Sequence, residues 1–112
     1  MPNKKRDNIF RAIADPTRRE IFHMLVLASA ALSINEIADH FPMSRQAITK
    51  HIKILNDVGL IDIVPKGRER YCYADPKPLK EIHDWVMYYE KFWENKLNLL
   101  DSYLKEKNKK GN

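Results

Sequence analysis

At 112 residues the chain has room for one domain with a single modest core. Hydrophobic residues make up 44%, which is too many for wholesale disorder, and no apolar run approaches the roughly 20 residues of a membrane helix. The net charge of +5 favours an anionic partner, although part of the excess sits in "NKKR" at the start and "KEKNKKGN" at the end, both expected to fray. With Cys72 alone, no internal disulfide can form, and no signal-peptide core follows the basic start; a cytoplasmic protein without a membrane partner is expected.

A first helix is expected from about Lys5 to Ala14, with Ile9, Phe10 and Ile13 on one face. A second follows in "ADPTRREIFHMLVLAS". There Asp15 can cap free amides, Pro16 suits the first helical position, and Ile21, Met24, Leu25 and Ala28 recur at core spacing. The third opens on "SINE", whose Ser33 and Glu36 fit a capping box, and carries Ile34, Ile37 and Ala38 on a small apolar face. Pro42 stops it, Ser44 can cap the next helix, and Gly59 supplies that helix's C-terminal cap.

After Gly59 the apolar period shortens to two. "LIDIVPKGRERYCYA" reads as two strands joined by a turn at "PKGR", giving a ribbon with a basic tip. "ADPKPLKEI" repeats the Asp-Pro device, with Asp75 as expected cap of a last helix over about 76–106. Leu79, Ile82, Val86, Tyr89, Trp93, Leu97, Leu100 and Leu104 follow in steps of three or four, and Trp85, Phe92 and Leu99 widen the stripe. A helix of that length, roughly 40 Å at 1.5 Å per residue, exceeds the diameter of so small a domain. One chain cannot cover its apolar side, so Trp85 to Leu104 reads as a surface for a second copy.

Residues 33–58 thus form a helix, a tight turn and a second helix, an arrangement that can place the second helix in a DNA major groove. That helix suits the task chemically. Ala47, Ile48, Ile52 and Leu55 face inward, while Arg45, Gln46, Thr49 and Lys50 occupy exposed positions near its start, with Ser44 at the cap. Arg and Lys can read guanine O6 and N7, Gln can pair with adenine, and Thr can touch a thymine methyl. Lys53 falls a turn later, where a phosphate is the expected partner. An ordinary solvated face would mix signs, yet Ser44 to Leu55 contains no Asp or Glu. Lys66, Arg68 and Arg70 on the ribbon would add charge beside the same helix, along the phosphates or in the adjacent minor groove.

The segments "AIADPTRREIFHML", "SINEIADHFPMSRQAITKHIKILNDVGLI" and "GRERYCYADPKPLKEIHDW" resemble the ArsR-type family of bacterial winged-helix repressors, in register over about residues 8–95. The resemblance implies a mainly α fold with a small β-hairpin, a winged helix-turn-helix dimerising through its first and last helices. The implied homodimer would meet a palindromic operator in double-stranded DNA, with recognition helices at Ser44 to Lys53, roughly 34 Å apart, and wing tips at Pro65 to Arg70. Its interface would use Ile9, Phe10 and Ile13 with Trp85, Tyr89, Phe92, Trp93, Leu97 and Leu100. The run Asp15 to Arg19 also matches. It reads as capping and packing, with phosphate contact by Arg18 or Arg19 as the alternative.

Metal-sensing relatives of the arsenic and cadmium type carry paired cysteines before the recognition helix, where this chain has "SINEIADHF". At the positions of the zinc-type ligands on the last helix stand Glu81, His83, Glu94 and the aliphatic Leu97, so no metal or other cofactor is expected. His51 reads as a hydrogen-bonded inward residue, His23 and His40 lack ligand-type neighbours, and Cys72 reads as inert packing, with a redox switch as the alternative. No nucleophile motif or phosphate loop suggests an enzyme. The competing readings are a winged-helix module that binds another protein and, within the same class, a metal- or redox-responsive sensor repressor.

Overall fold

Local capping decides where the first four α-helices begin. The computed structural model describes residues 3–110, and for residues 109 and 110 the backbone alone. Helix α1 spans Lys4–Ala14; the Asn3 side chain accepts the Arg6 amide at 3.0 Å, so Lys4 to Arg6 are helical rather than frayed. Asp15 does the same for α2, Pro16–Ala28, accepting the Arg18 amide at 3.1 Å with Pro16 in the first turn. In α3, Ile34–Ala38, the capping box is complete: Ser33 Oγ accepts from the Glu36 amide at 3.1 Å and Glu36 accepts from the Ser33 amide at 3.2 Å. Helix α4 spans Arg45–Asp57, with Ser44 Oγ accepting the Ala47 amide at 3.1 Å.

The end of α4 is a Schellman motif. Gly59 takes a φ of +83°, its amide donates to Asn56 O at 3.0 Å, and the Leu60 amide donates to Leu55 O at 3.0 Å. This turns the chain directly into β2, Ile61–Lys66, which pairs antiparallel with β3, Glu69–Ala74. The connecting turn is tighter than "PKGR" suggests. Pro65 lies within β2 opposite Arg70, and only Gly67 and Arg68 separate the paired Lys66 and Glu69. Gly67 has a φ of +65°, which suits the first central position of a type II′ turn.

The ribbon has a third strand. β1, Leu32–Ser33, pairs with β3 through Leu32 opposite Cys72 and Ser33 opposite Tyr71, so the sheet order is β1-β3-β2. This corrects the two-stranded expectation: the same Ser33 that caps α3 also closes the sheet. Asp75 is a second correction. Its carboxylate accepts the Lys77 amide at 3.0 Å, shaping a short 3-10 turn, Lys77–Leu79, rather than capping a long helix. Pro76 and Pro78 accompany that turn, and α5 begins only at Lys80 and extends to Lys110. The expected frayed ending at "KEKNKKGN" is therefore helical through Lys110, and Gly111 and Asn112 lie outside the described residues.

The chain forms two compact units, divided after Ile82. The core of the first joins Ile9 and Ala12 of α1, Ile21 and Leu25 of α2, Ile34 and Ile37 of α3 and Ile48, Ile52 and Leu55 of α4. The sheet and its approach add Leu60, Ile61 and Cys72. Ile9 is 0% exposed, so it belongs to the core of its own chain and not to an intermolecular face; Phe10 and Ile13 remain partly open. In the second unit α5 is exposed throughout its described side chains, including Trp85, Tyr89, Phe92, Trp93, Leu97 and Leu100. Among the described residues no helix is long and apolar enough to cross a membrane.

Candidate nucleic-acid interface

Helix α4 is amphipathic in the way its sequence demands. Ile48, Ile52 and Leu55 are fully buried, and Ser44, Arg45, Gln46, Lys50 and Lys53 are exposed. Thr49 is half-buried, and its hydroxyl donates to Arg45 O at 2.8 Å, one turn back. Its hydroxyl hydrogen is therefore committed to the helix, leaving a methyl and a lone pair for a partner. Ser44 accepts the Ala47 amide with one lone pair and keeps its hydroxyl hydrogen free to donate.

Two clefts organise the exposed side chains. Arg45, Gln46, Thr49 and Lys50 line an open one of about 610 Å³. Arg45 also lines a narrow one of about 90 Å³ together with Arg68, Glu69 and Arg70 of the wing and Ser33 and Asn35 at the start of α3. So the structure brings the first residue of α4 and two wing arginines to one cleft, while Lys66 and Lys53 stay exposed outside it. The one carboxylate there, Glu69, accepts the Tyr71 hydroxyl at 3.0 Å, a bond that also raises the phenol's pKa above its ordinary value. A wider cleft of about 660 Å³ lies between α1 and the α4–β2 connection. Asp57, Asp62 and Asp75 line it beside Lys5 and Lys77, a sign of charge unsuited to an anion.

The run Asp15 to Arg19 builds the corner behind α4. Arg18 Nε donates to Ala12 O at 2.6 Å and its Nη2 to Arg11 O at 3.1 Å. Arg19 Nη1 donates to Ile13 O at 2.7 Å and Ala14 O at 3.1 Å. The two guanidinium groups thus satisfy carbonyls that the end of α1 leaves unpaired. Sequence reasoning identified the run as capping but placed the work on Asp15; the arginines finish the preceding helix. The Arg18 amide, above all, holds the Asp15 carboxyl below its ordinary range. Arg18 also reaches α4, where Nη1 lies 3.2 Å from Nδ1 of the half-buried His51. Cys72 is fully buried in the sheet, and burial pushes its thiol up to about 11.

Comparison with known proteins agrees with this geometry. Residues 13–64 match a family described as a helix-turn-helix domain. The chain is 32% identical over 81 residues to the transcriptional repressor SdpR of Bacillus subtilis, covering 72% of this chain and 88% of that protein. It is 33% identical over 100 residues to the HTH-type transcriptional regulator Rv2034 of Mycobacterium tuberculosis, covering 86% and 89% respectively. A crystal structure of an ArsR family transcriptional regulator superimposes with a TM-score of 0.75 at 31% identity, over 84% of this chain and 95% of the other. By this identity and coverage the chain belongs to the ArsR-type family of winged helix-turn-helix, DNA-binding transcriptional regulators.

Proposed function

We propose that the protein is a homodimeric repressor that occupies an inverted-repeat operator in double-stranded DNA, and a cytoplasmic binding protein rather than an enzyme. Gln46, Thr49 and Lys50 read base edges in the major groove, Arg45 reads a base or holds the first phosphate, and Ser44 donates to the backbone. Lys53, Lys66, Arg68 and Arg70 anchor the phosphates on either side. The observation that carries this reading is the acid-free, exposed face of α4, joined through Arg45 to the wing arginines in one cleft. Dimerisation draws its support from α5, whose 31 residues span roughly 46 Å and expose Trp93 at 64% and Leu100 at 52%. Phe10 and Ile13 on α1 and Trp85, Tyr89, Phe92 and Leu97 on α5 complete the proposed interface.

The test begins with selection of bound sequences from a random-duplex pool by the wild-type protein. A selected inverted repeat with half-sites about one helical turn apart is the expected outcome. Sedimentation should show a dimer that Trp93→Ala loosens. A monomeric wild type, or selection of no sequence, would reject the proposal and favour a module that binds another protein.

A further inference from the structure

Every buried contact of α4 on its inner face is aliphatic: Ile48, Ile52 and Leu55. The hydrophobic effect is itself non-directional, so these residues set the angle of the helix only through how they interdigitate. Base readout is sensitive to that angle. Side-chain atoms lie about 5–6 Å from a helix axis, so a rotation of about 20° displaces them by about 2 Å, several times the tolerance of a hydrogen bond. A directional bond to a fixed group adds a finer constraint on that rotation. Among the described residues, α4 side chains make two hydrogen bonds beyond their own helix. One is Asn56 Nδ2 to Ile61 O at 2.7 Å, at the far end from the base-facing residues. The other is His51 to Arg18, in the same turn as Lys50.

From the geometry we infer that Arg18 and His51 are positioning residues for DNA recognition, a latch that sets the angle at which α4 presents Gln46, Thr49 and Lys50. The inference rests on the reading of α4 as the base-reading helix. Arg18 has no acceptor, so in this bond Nδ1 of His51 accepts and the ring proton sits on Nε2. Asp15 Oδ2 also approaches Nδ1, at 4.0 Å, but the 3.2 Å approach of the arginine is the shorter contact and occupies that nitrogen's lone pair. The arginine is itself immobilised. Nε and Nη2 are spent on Ala12 O and Arg11 O, and the guanidinium is planar, so its remaining nitrogen points where the α1–α2 corner dictates. The position of α1 is thereby written onto the recognition helix.

The experiment keeps the corner intact and changes only the imidazole. His51→Leu removes the acceptor at similar size, and His51→Asn restores one close to the place of Nδ1. The probes are the duplex selected by wild type and a scrambled duplex of equal length, with melting temperature as the check on folding. Expected for His51→Leu is an unchanged or higher melting temperature, affinity for the scrambled duplex within about twofold, and affinity for the selected duplex down about tenfold or more. His51→Asn should recover most of that loss. The imidazole ¹⁵N spectrum of free wild type should show the proton on Nε2. A selected-to-scrambled ratio unchanged in His51→Leu, equal losses in both variants, or a proton on Nδ1 would each overturn the latch. If wild type selects no sequence, the base-reading proposal falls and takes the latch with it.

Discussion

Replacing Arg68 by alanine gives the sharpest separation of the wing's role from that of α4. Arg68 is the second central residue of the β2–β3 turn and is exposed, and among the described residues its guanidinium makes no ion pair or hydrogen bond. A free planar fork at the tip of a ribbon suits a phosphate. The magnitude follows from counterion release. On each chain the exposed cations proposed at phosphates are Arg45, Lys53, Lys66, Arg68 and Arg70. If each engages a phosphate in a dimer, the slope of log K against log salt is about −9, at about −0.9 per contact. Arg68→Ala removes one contact per chain and should flatten the slope by about 1.8, so that a fourfold rise in salt costs the variant about tenfold less affinity than wild type.

Fluorescence anisotropy with the selected and scrambled duplexes, across several salt concentrations, measures both slopes. The loss should be the same on the two duplexes, because phosphates carry no sequence. Gln46→Ala should behave in the opposite way: a cost of about 1–3 kcal/mol on the selected duplex, little on the scrambled one, and no change in slope. An Arg68→Ala slope within about 0.5 of wild type would remove the wing from the phosphates and refute the reasoning.

Gly59→Ala should cost about 1–2 kcal/mol in denaturant unfolding, because φ is +83° and the added Cβ would sit 3.3 Å from Pro78 Cγ. Gly67→Ala, at +65° with nothing within 4 Å, should cost less, and the reverse order would reject the Pro78 contact as a contributor. For Asp15 the sign follows from a folded pKa below 3.8: its charge stabilises the protein above the unfolded value, and that contribution disappears as pH falls through the folded one. Asp15→Ala should thus cost about 1 kcal/mol near neutrality. The gap between wild type and Asp15→Asn should narrow below about pH 4, and a gap constant through the acid range would contradict the assignment. Cys72, with its thiol raised from 9.0 to about 11, should alkylate at least about a hundredfold more slowly than an unstructured cysteine peptide at pH 8. Rapid native alkylation would reopen a redox role.

The helices of the first unit were legible because their signals are local. A capping box spans four residues, and an Asp-Pro start or a glycine stop spans two, so no tertiary knowledge is needed to read them. β1 was hidden for the opposite reason. Two residues cannot display an alternating period, and Leu32 finds its partner at Cys72, forty positions away. Ile9 shows a different blindness. Periodicity shows one apolar stripe on α1, Ile9, Phe10 and Ile13, but not the line dividing the part buried in the chain's own core from the part left partly open. Arg18 combines both difficulties, since its acceptors, Ala12 O, Arg11 O and His51 Nδ1, meet only after three helices have packed.

The structure also redistributes the work within the face that the sequence nominated. Of the six exposed or half-exposed side chains near the start of α4, two are partly committed to the helix itself. Ser44 spends one lone pair on the cap, and its position at the very start of α4 with a free hydroxyl hydrogen fits a phosphate. Thr49 spends its hydrogen on Arg45 O and keeps a methyl, which favours apolar contact with thymine. Arg45 is shared with the wing cleft, where the company of Arg68 and Arg70 favours an anion over a purine. Lys50 and Lys53 offer donors only. Gln46 offers an amide that both donates and accepts, the pairing adenine presents in the major groove, and the donors of Lys50 match the two acceptors of guanine. Discrimination by the protein should therefore be shared by Gln46 at adenine and Lys50 at guanine, with Thr49 adding contact to a thymine methyl and the remaining residues setting register and strength.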